Sequence, residues 1–219
     1  MPDTRPHPRE DLAVDQHLAL RTAASRLAAE FTGSYGIETI ERFLHTSYDQ
    51  LATAASIRNH LPLLAERFAR QRLRALARVE GHHRDGRPVV LFLCTHNAGR
   101  SQMALGFLSH LAGERAVAWS GGSEPGTEVN PAAVAAMAER GIDISAEFPK
   151  PWTDEVVRAA DVVVTMGCGD ACPVFPGTRY ENWDIDDPAG LTVADVRPIR
   201  DAVERRVRRL LDELQIPTR

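Results

Sequence analysis

Cys94 and Arg100 stand six positions apart in "CTHNAGRSQMA", residues 94–104, with five small or polar residues between them. A thiolate is a strong nucleophile, and a guanidinium grips two oxygens of one oxyanion through paired hydrogen bonds. The loop of Thr95, His96, Asn97, Ala98 and Gly99 is long enough to wrap its backbone N–H groups around a tetrahedral anion. If a helix starts at Arg100, its positive end adds to the same field and stabilises the thiolate. Ser101 is placed to donate a further hydrogen bond to the sulfur. The pattern thus combines a nucleophile with a cradle for its target.

Such a loop needs rigid elements on both sides. The preceding "VVLFLC", residues 89–94, is a continuous apolar and β-branched run, which is the composition of a strand buried on both faces. After Pro88 further short apolar runs alternate with helical stretches: a helix from Arg100, "AVAWS", helices near 131–140 and 153–160, "DVVVTM", "TRYENW", and a last helix near 193–214. That alternation predicts an α/β domain whose parallel sheet carries helices on both faces. In such folds small anions bind where the first strand turns into its helix, which is where Cys94 stands.

Residues 10–80 have another character. Apolar residues recur at helical spacing: Leu20, Leu27 and Phe31; Ile37, Ile40, Leu44, Tyr48 and Leu51; Leu61, Leu64, Phe68, Leu76 and Val79. Gly33 and Gly36 mark one break, and Asn59 with Pro62 mark the next as cap and first-turn residues. A small all-α three-helix bundle follows, separated from the second domain by the polar "GHHRDGRP", residues 81–88. We place the domains at 1–82 and 83–219. Arginines 58, 67, 70, 72, 74, 78, 84 and 87 read as the solvated face of an amphipathic helix, offset in part by Glu66 and Glu80, rather than as a nucleic-acid site. His82 and His83 read as solvated linker residues.

The 219 residues carry a formal net charge of -4, which gives no reason to expect nucleic acid or an anionic membrane as partner. No stretch approaches the roughly 18 apolar residues of a membrane span, and the polar, proline-rich "MPDTRPHPREDL" lacks a signal-peptide core, so a cytoplasmic location is expected. Three cysteines are an odd number for complete pairing, and the spacing has no paired metal-ligand signature, so no metal is expected. Cys168 and Cys172, in "GCGDACP", follow the strand-like "DVVVTM" and so fall at the same sheet edge as Cys94. Two further thiols there suit redox chemistry, with a buried apolar pair as the alternative.

Residues 88–214 resemble the low-molecular-weight protein tyrosine phosphatase superfamily. The loop "CTHNAGRSQMA" looks like its Cys-x5-Arg-Ser signature, in the Arg-Ser-Gln-Met form of the arsenate reductase branch. "VNPAAVAAMAERGIDIS" and "VVVTMGCGDACPVFPG" strengthen the branch-level resemblance, and residues 1–80 more loosely resemble a three-helix module found ahead of it. The resemblance implies a four-stranded parallel sheet, Cys94 as nucleophile, Arg100 and the loop amides as oxyanion clamp, and Asp187 of "NWDIDDPAG" as general acid. In the phosphatases aromatic residues after that Asp-Pro wall the tyrosine ring; here Ala189 and Gly190 follow, which favours a small inorganic oxyanion.

With arsenate as substrate, the resemblance implies a relay: Cys168 attacks the Cys94 adduct and expels arsenite, Cys172 attacks Cys168, and thioredoxin reduces the Cys168–Cys172 disulfide. No tightly bound cofactor is implied. The chain departs from the best-known members in three places: only three residues separate Cys168 from Cys172, His96 stands where glycine is usual, and Leu105 stands where glutamate is frequent, which argues against a cation there. A mycothiol-dependent reductase and a tyrosine phosphatase are the alternative activities. Self-association through the N-terminal bundle is a further expectation.

Overall fold

The computed structural model describes residues 14–53, 60–82, 85–167 and 174–218. The chain divides into two compact units, Met1–His83 and Arg84–Arg219.

The first unit is built from α1 (Val14–Glu30), α2 (Ile37–Ala52) and α3 (Leu61–Val79), which pack pairwise. Of the expected stripes Ile37 and Val79 are 48% and 43% exposed, whereas Leu27, Ile40, Leu44 and, outside the expected stripe, Leu73 are fully buried and wall a shared core. Each such side chain contributes about 1.5–3 kcal/mol on leaving water. Gly33, at φ 83°, makes the left-handed turn that ends α1, and Gly36 is the N-cap of α2. Asn59 lies outside the described residues; the N-cap of α3 is His60, with Pro62 in the first turn where its missing N–H costs nothing.

The arginine stripe is not uniformly solvated. Arg72 is 8% exposed: its guanidinium donates to Thr46 Oγ1 at 3.0 Å and Ser47 Oγ at 3.1 Å, and lies 4.7 Å from the Phe43 ring centre. Helical periodicity placed it outward because it does not show that a neighbouring helix offers an aromatic face and two hydroxyls. Glu66, also buried, accepts from Arg26 and Arg70 and so ties α1 to α3. His82 is exposed, as expected, with its ring 5.8 Å from that of Tyr35; His83 lies outside the described residues.

The second unit is a four-stranded, all-parallel sheet in the order β2-β1-β3-β4, formed by β1 (Val89–Cys94), β2 (Val117–Gly122), β3 (Val162–Met166) and β4 (Arg179–Asn182). Helices α4 (Arg100–Ala112), α5 (Pro131–Ala138), α6 (Asp154–Ala159) and α7 (Val193–Glu213) cover its two faces. Every residue of β1 is buried, because this strand lies between β2 and β3. Val90, Phe92 and Cys94 join the core formed with α4, α5 and α7, while Val89, Leu91 and Leu93 face the other way by strand alternation. The chain passes from β1 to β2 on one side and then to β3 on the other. That reversal opens a crevice at the carboxyl end of β1.

Candidate active site

Cys94 closes β1 in register with Gly122 on one side and Met166 on the other, so its position is fixed by two ladders. The thiol is 2% exposed, and its Sγ lies 2.9 Å from Ser101 Oγ, the contact anticipated from the spacing. Helix α4 starts at Arg100, with Gly99 as its N-cap, and directs its positive end at the loop.

The loop's outer side is tied down at three carbonyls. Thr95 O accepts from Glu124 N, His96 O from Gly126 N and Ala98 O from Asn130 N, each at 2.9 Å. Carbonyls bound outward to the 123–130 segment leave the loop N–H groups for an anion on the inner side. Asn97 makes the turn in the left-handed region at φ 47°, a conformation that asparagine tolerates better than most residues. Its side chain is buried and works in both directions: Nδ2 donates to Ser101 Oγ at 2.9 Å, and Oδ1 accepts from Lys150 N at 3.0 Å. Gln102 Nε2 donates to Asn97 O at 2.9 Å and to Phe148 O at 3.2 Å. The ammonium of Lys150, 2% exposed, reaches Ser120 Oγ and Phe148 O. Sequence reasoning treated Asn97 as a loop amide only and missed Gln102 and Lys150 altogether; the bonds that tie them into the site reach across 46 positions to Phe148, 53 to Asn97 and 30 to Ser120.

Arg100 is 8% exposed and lies against the backbone of Gly167, where a Cβ would stand 2.8 Å from Nη1. Its Nη2 donates to Asp187 Oδ2 at 2.9 Å. The Asp187 side chain is 48% exposed and accepts from Ala189 N at 3.1 Å through Oδ1, so it sits at the mouth of the site in a short turn of its own. Pro188 rests on the loop so closely that a Cβ on Gly99 would stand 2.4 Å from its ring. His96 is exposed, its Nδ1 3.0 Å from Glu124 O.

These groups enclose a cavity of about 40 Å³, lined by Cys94, His96, Gly99, Arg100, Asp187 and Ala189 among others. At about 10–15 Å³ per enclosed water it takes two to four waters, the size of one tetrahedral oxyanion. Among the described residues no aromatic ring other than His96 lines it, in keeping with Ala189 and Gly190 after the Asp-Pro pair. The structure therefore brings Cys94, the 95–99 loop, Arg100, Ser101 and Asp187 to one place. Cys168 and Cys172 lie outside the described residues. The described chain reaches Gly167, whose carbonyl accepts from Thr95 Oγ1 at 2.9 Å, and resumes at Val174.

Comparison with known proteins gives this geometry a context. Residues 20–77 match the protein-tyrosine-phosphatase-like N-terminal domain, and residues 89–218 match the low molecular weight phosphotyrosine protein phosphatase family. Arsenate reductase 2 of Staphylococcus saprophyticus is 38% identical over 127 residues, spanning 56% of this chain and 95% of its own. The solved thioredoxin-dependent arsenate reductase of Corynebacterium glutamicum is 44% identical and covers 90% of this chain and 96% of its own, with a TM-score of 0.80. A further solved structure, an arsenate reductase in the phosphate binding state, is 34% identical over 57% of this chain and 98% of its own, with a TM-score of 0.52. The chain belongs to the low molecular weight phosphotyrosine protein phosphatase family and carries an N-terminal helical domain ahead of the family fold.

Proposed function

We propose that the protein is an arsenate reductase that uses Cys94 as nucleophile and thioredoxin as reductant. The observation that carries the reading is the small cavity that joins the Cys94 thiol, the Arg100 guanidinium and the Asp187 carboxyl. The Staphylococcus and Corynebacterium arsenate reductases, at 38% and 44% identity, support the substrate, and the thioredoxin-dependent relative supports the reductant.

In this mechanism arsenate displaces the Asp187 carboxyl from Arg100 and is held by that guanidinium and the loop amides. The Cys94 thiolate attacks arsenic, and a hydroxyl of the protonated arsenate leaves as water with a proton from Asp187. Cys168 as thiolate then attacks Cys94 Sγ; the electrons of the sulfur–arsenic bond pass to arsenic, giving arsenite and a Cys94–Cys168 disulfide. Cys172 attacks Cys168, frees Cys94, and leaves a Cys168–Cys172 disulfide for thioredoxin. Every step after the first is thiol exchange or the two-electron reduction of arsenic. The Ser101 hydroxyl, 2.9 Å from Sγ, steadies the thiolate before attack. No helix among the described residues is long and apolar enough to cross a membrane.

The test is arsenate-dependent NADPH oxidation with thioredoxin and thioredoxin reductase and no small thiol. Sustained oxidation is expected, lost in Cys94→Ser, Cys168→Ser and Cys172→Ser. Activity only with mycothiol, surviving Cys172→Ser, would replace the relay with a small-thiol route. Phosphate-ester hydrolysis without arsenate turnover would replace the reductase with a phosphatase.

A further inference from the structure

Four of the hydrogen bonds of Asn130 tie it to three different segments, beside the helical bond that its carbonyl accepts from Val134 N. Its backbone N–H donates to Ala98 O of the oxyanion loop at 2.9 Å. Its side-chain Oδ1 accepts from Ala132 N at 2.8 Å and Ala133 N at 3.3 Å, capping α5. Its Nδ2 donates to Pro188 O at 2.9 Å, directly after Asp187. The cap explains only the oxygen: serine, threonine or aspartate would supply it equally well. Among the common N-cap residues only asparagine adds an N–H donor at the far end of the same planar group. The Pro188 carbonyl uses that donor.

We propose that Asn130 is a positioning residue that holds the Asp187 loop over the oxyanion loop, so that the acid stays in place once the substrate has taken Arg100. The inference rests on the role given to Asp187 in the proposed function. Asp187 is held by Arg100 at 2.9 Å. An oxyanion that engages the guanidinium removes that tie at the moment the proton is needed. The Asn130–Pro188 bond does not involve Arg100 and persists, while Pro188 packed on Gly99 sets the height of the loop above the cradle. The nearby carboxyl and cation of this arrangement are Asp187 and Arg100 themselves; the other lining side chains that titrate are Cys94 and His96.

Asn130→Ser and Asn130→Thr both keep an acceptor for α5, remove the donor to Pro188 and add no charge to the cavity that Asn130 helps to line. Two measurements on the full chain decide the matter. Hydrogen exchange is expected to speed up by about tenfold or more at the amides of Ala189 and Leu191, which bond within the loop, while α5 and the melting temperature change little. In steady-state arsenate reduction, kcat is expected to fall about tenfold with KM for arsenate within about threefold of the wild type. Placed on Asp187→Asn, the same substitutions should cost less than about twofold, because a residue acting through Asp187 has nothing left to position. Unchanged exchange at Ala189 and Leu191 overturns the proposal, and so do losses that multiply in the double variant. A wild-type protein inactive toward arsenate would instead sink the reductase reading, and the exchange data would still decide whether Asn130 holds the loop.

Discussion

Arg72 of the bundle and Arg100 of the phosphatase-like unit are equally buried, both 8% exposed, yet they do different things. Arg72 is saturated by two hydroxyls and by aromatic faces at 4.7 and 5.5 Å, all fixed on α2 and α3. Arg100 has one carboxylate partner, nearly half exposed, beside a cavity that a small anion fills. Burial of a cation therefore does not mark a site. What marks it is a partner that can be exchanged for a ligand of the same charge, with donors already arranged around the space. Glu66, 4% exposed and held by Arg26 and Arg70 together, carries the same lesson for a carboxylate: its charge is met by two arginines of the bundle itself.

Arg100→Lys is the most severe way to break this contrast. It keeps the charge and loses the two-pronged grip, and kcat/KM for arsenate is expected to fall about 10²–10³-fold in the thioredoxin-coupled assay. A fall under tenfold would mean that the loop amides hold the anion without the guanidinium. Glu66→Gln in the bundle should cost about 1–2 kcal/mol in denaturant unfolding, less than a fully buried pair because Arg26 is 55% exposed, and should leave arsenate turnover unchanged. A change in turnover would show that the bundle contributes more than a fold of its own.

Acid should sharpen the same distinction. The Arg26 hydrogen bond, reinforced by Arg70, outweighs burial and holds the Glu66 carboxyl below its ordinary value of about 4.5. A carboxyl lowered on folding stabilises the folded state above the unfolded value and loses that contribution as pH falls through the folded one. The bundle transition is thus expected to move to lower temperature below about pH 4.5, and less so in Glu66→Gln, in calorimetry across pH 3–7. The smallest effect belongs to Arg74→Ala. Arg74 is 61% exposed on its bond to Glu30, and its loss should change stability by less than about 0.5 kcal/mol.

The nucleophile and its clamp were legible because their relation is local. Seven consecutive residues between a strand and a helix carry the thiol, the loop and the guanidinium, and the apolar run before them identifies the strand. The bundle's three stripes were legible for the same reason, since each lies within one helix. Arg72 was not, because a helix wheel shows which side a residue faces and not what a second helix places there. Asn130 was not singled out in the sequence; its side-chain oxygen caps α5 in the structure. Its other half bonds to Pro188, 58 positions away.

What the sequence determined by itself is the chemistry available: a cysteine, an arginine and an anion-sized loop, joined by hydrogen bonds of short range along the chain. Tertiary structure decided which distant groups complete it. Asp187 reaches Arg100 across 87 positions, Lys150 N reaches Asn97 across 53, and Asn130 spans both loops. The physical reason is that side-chain types and local backbone preferences are written residue by residue, whereas hydrogen-bond partners far apart in the chain exist only after a parallel sheet has brought its strand ends to one edge.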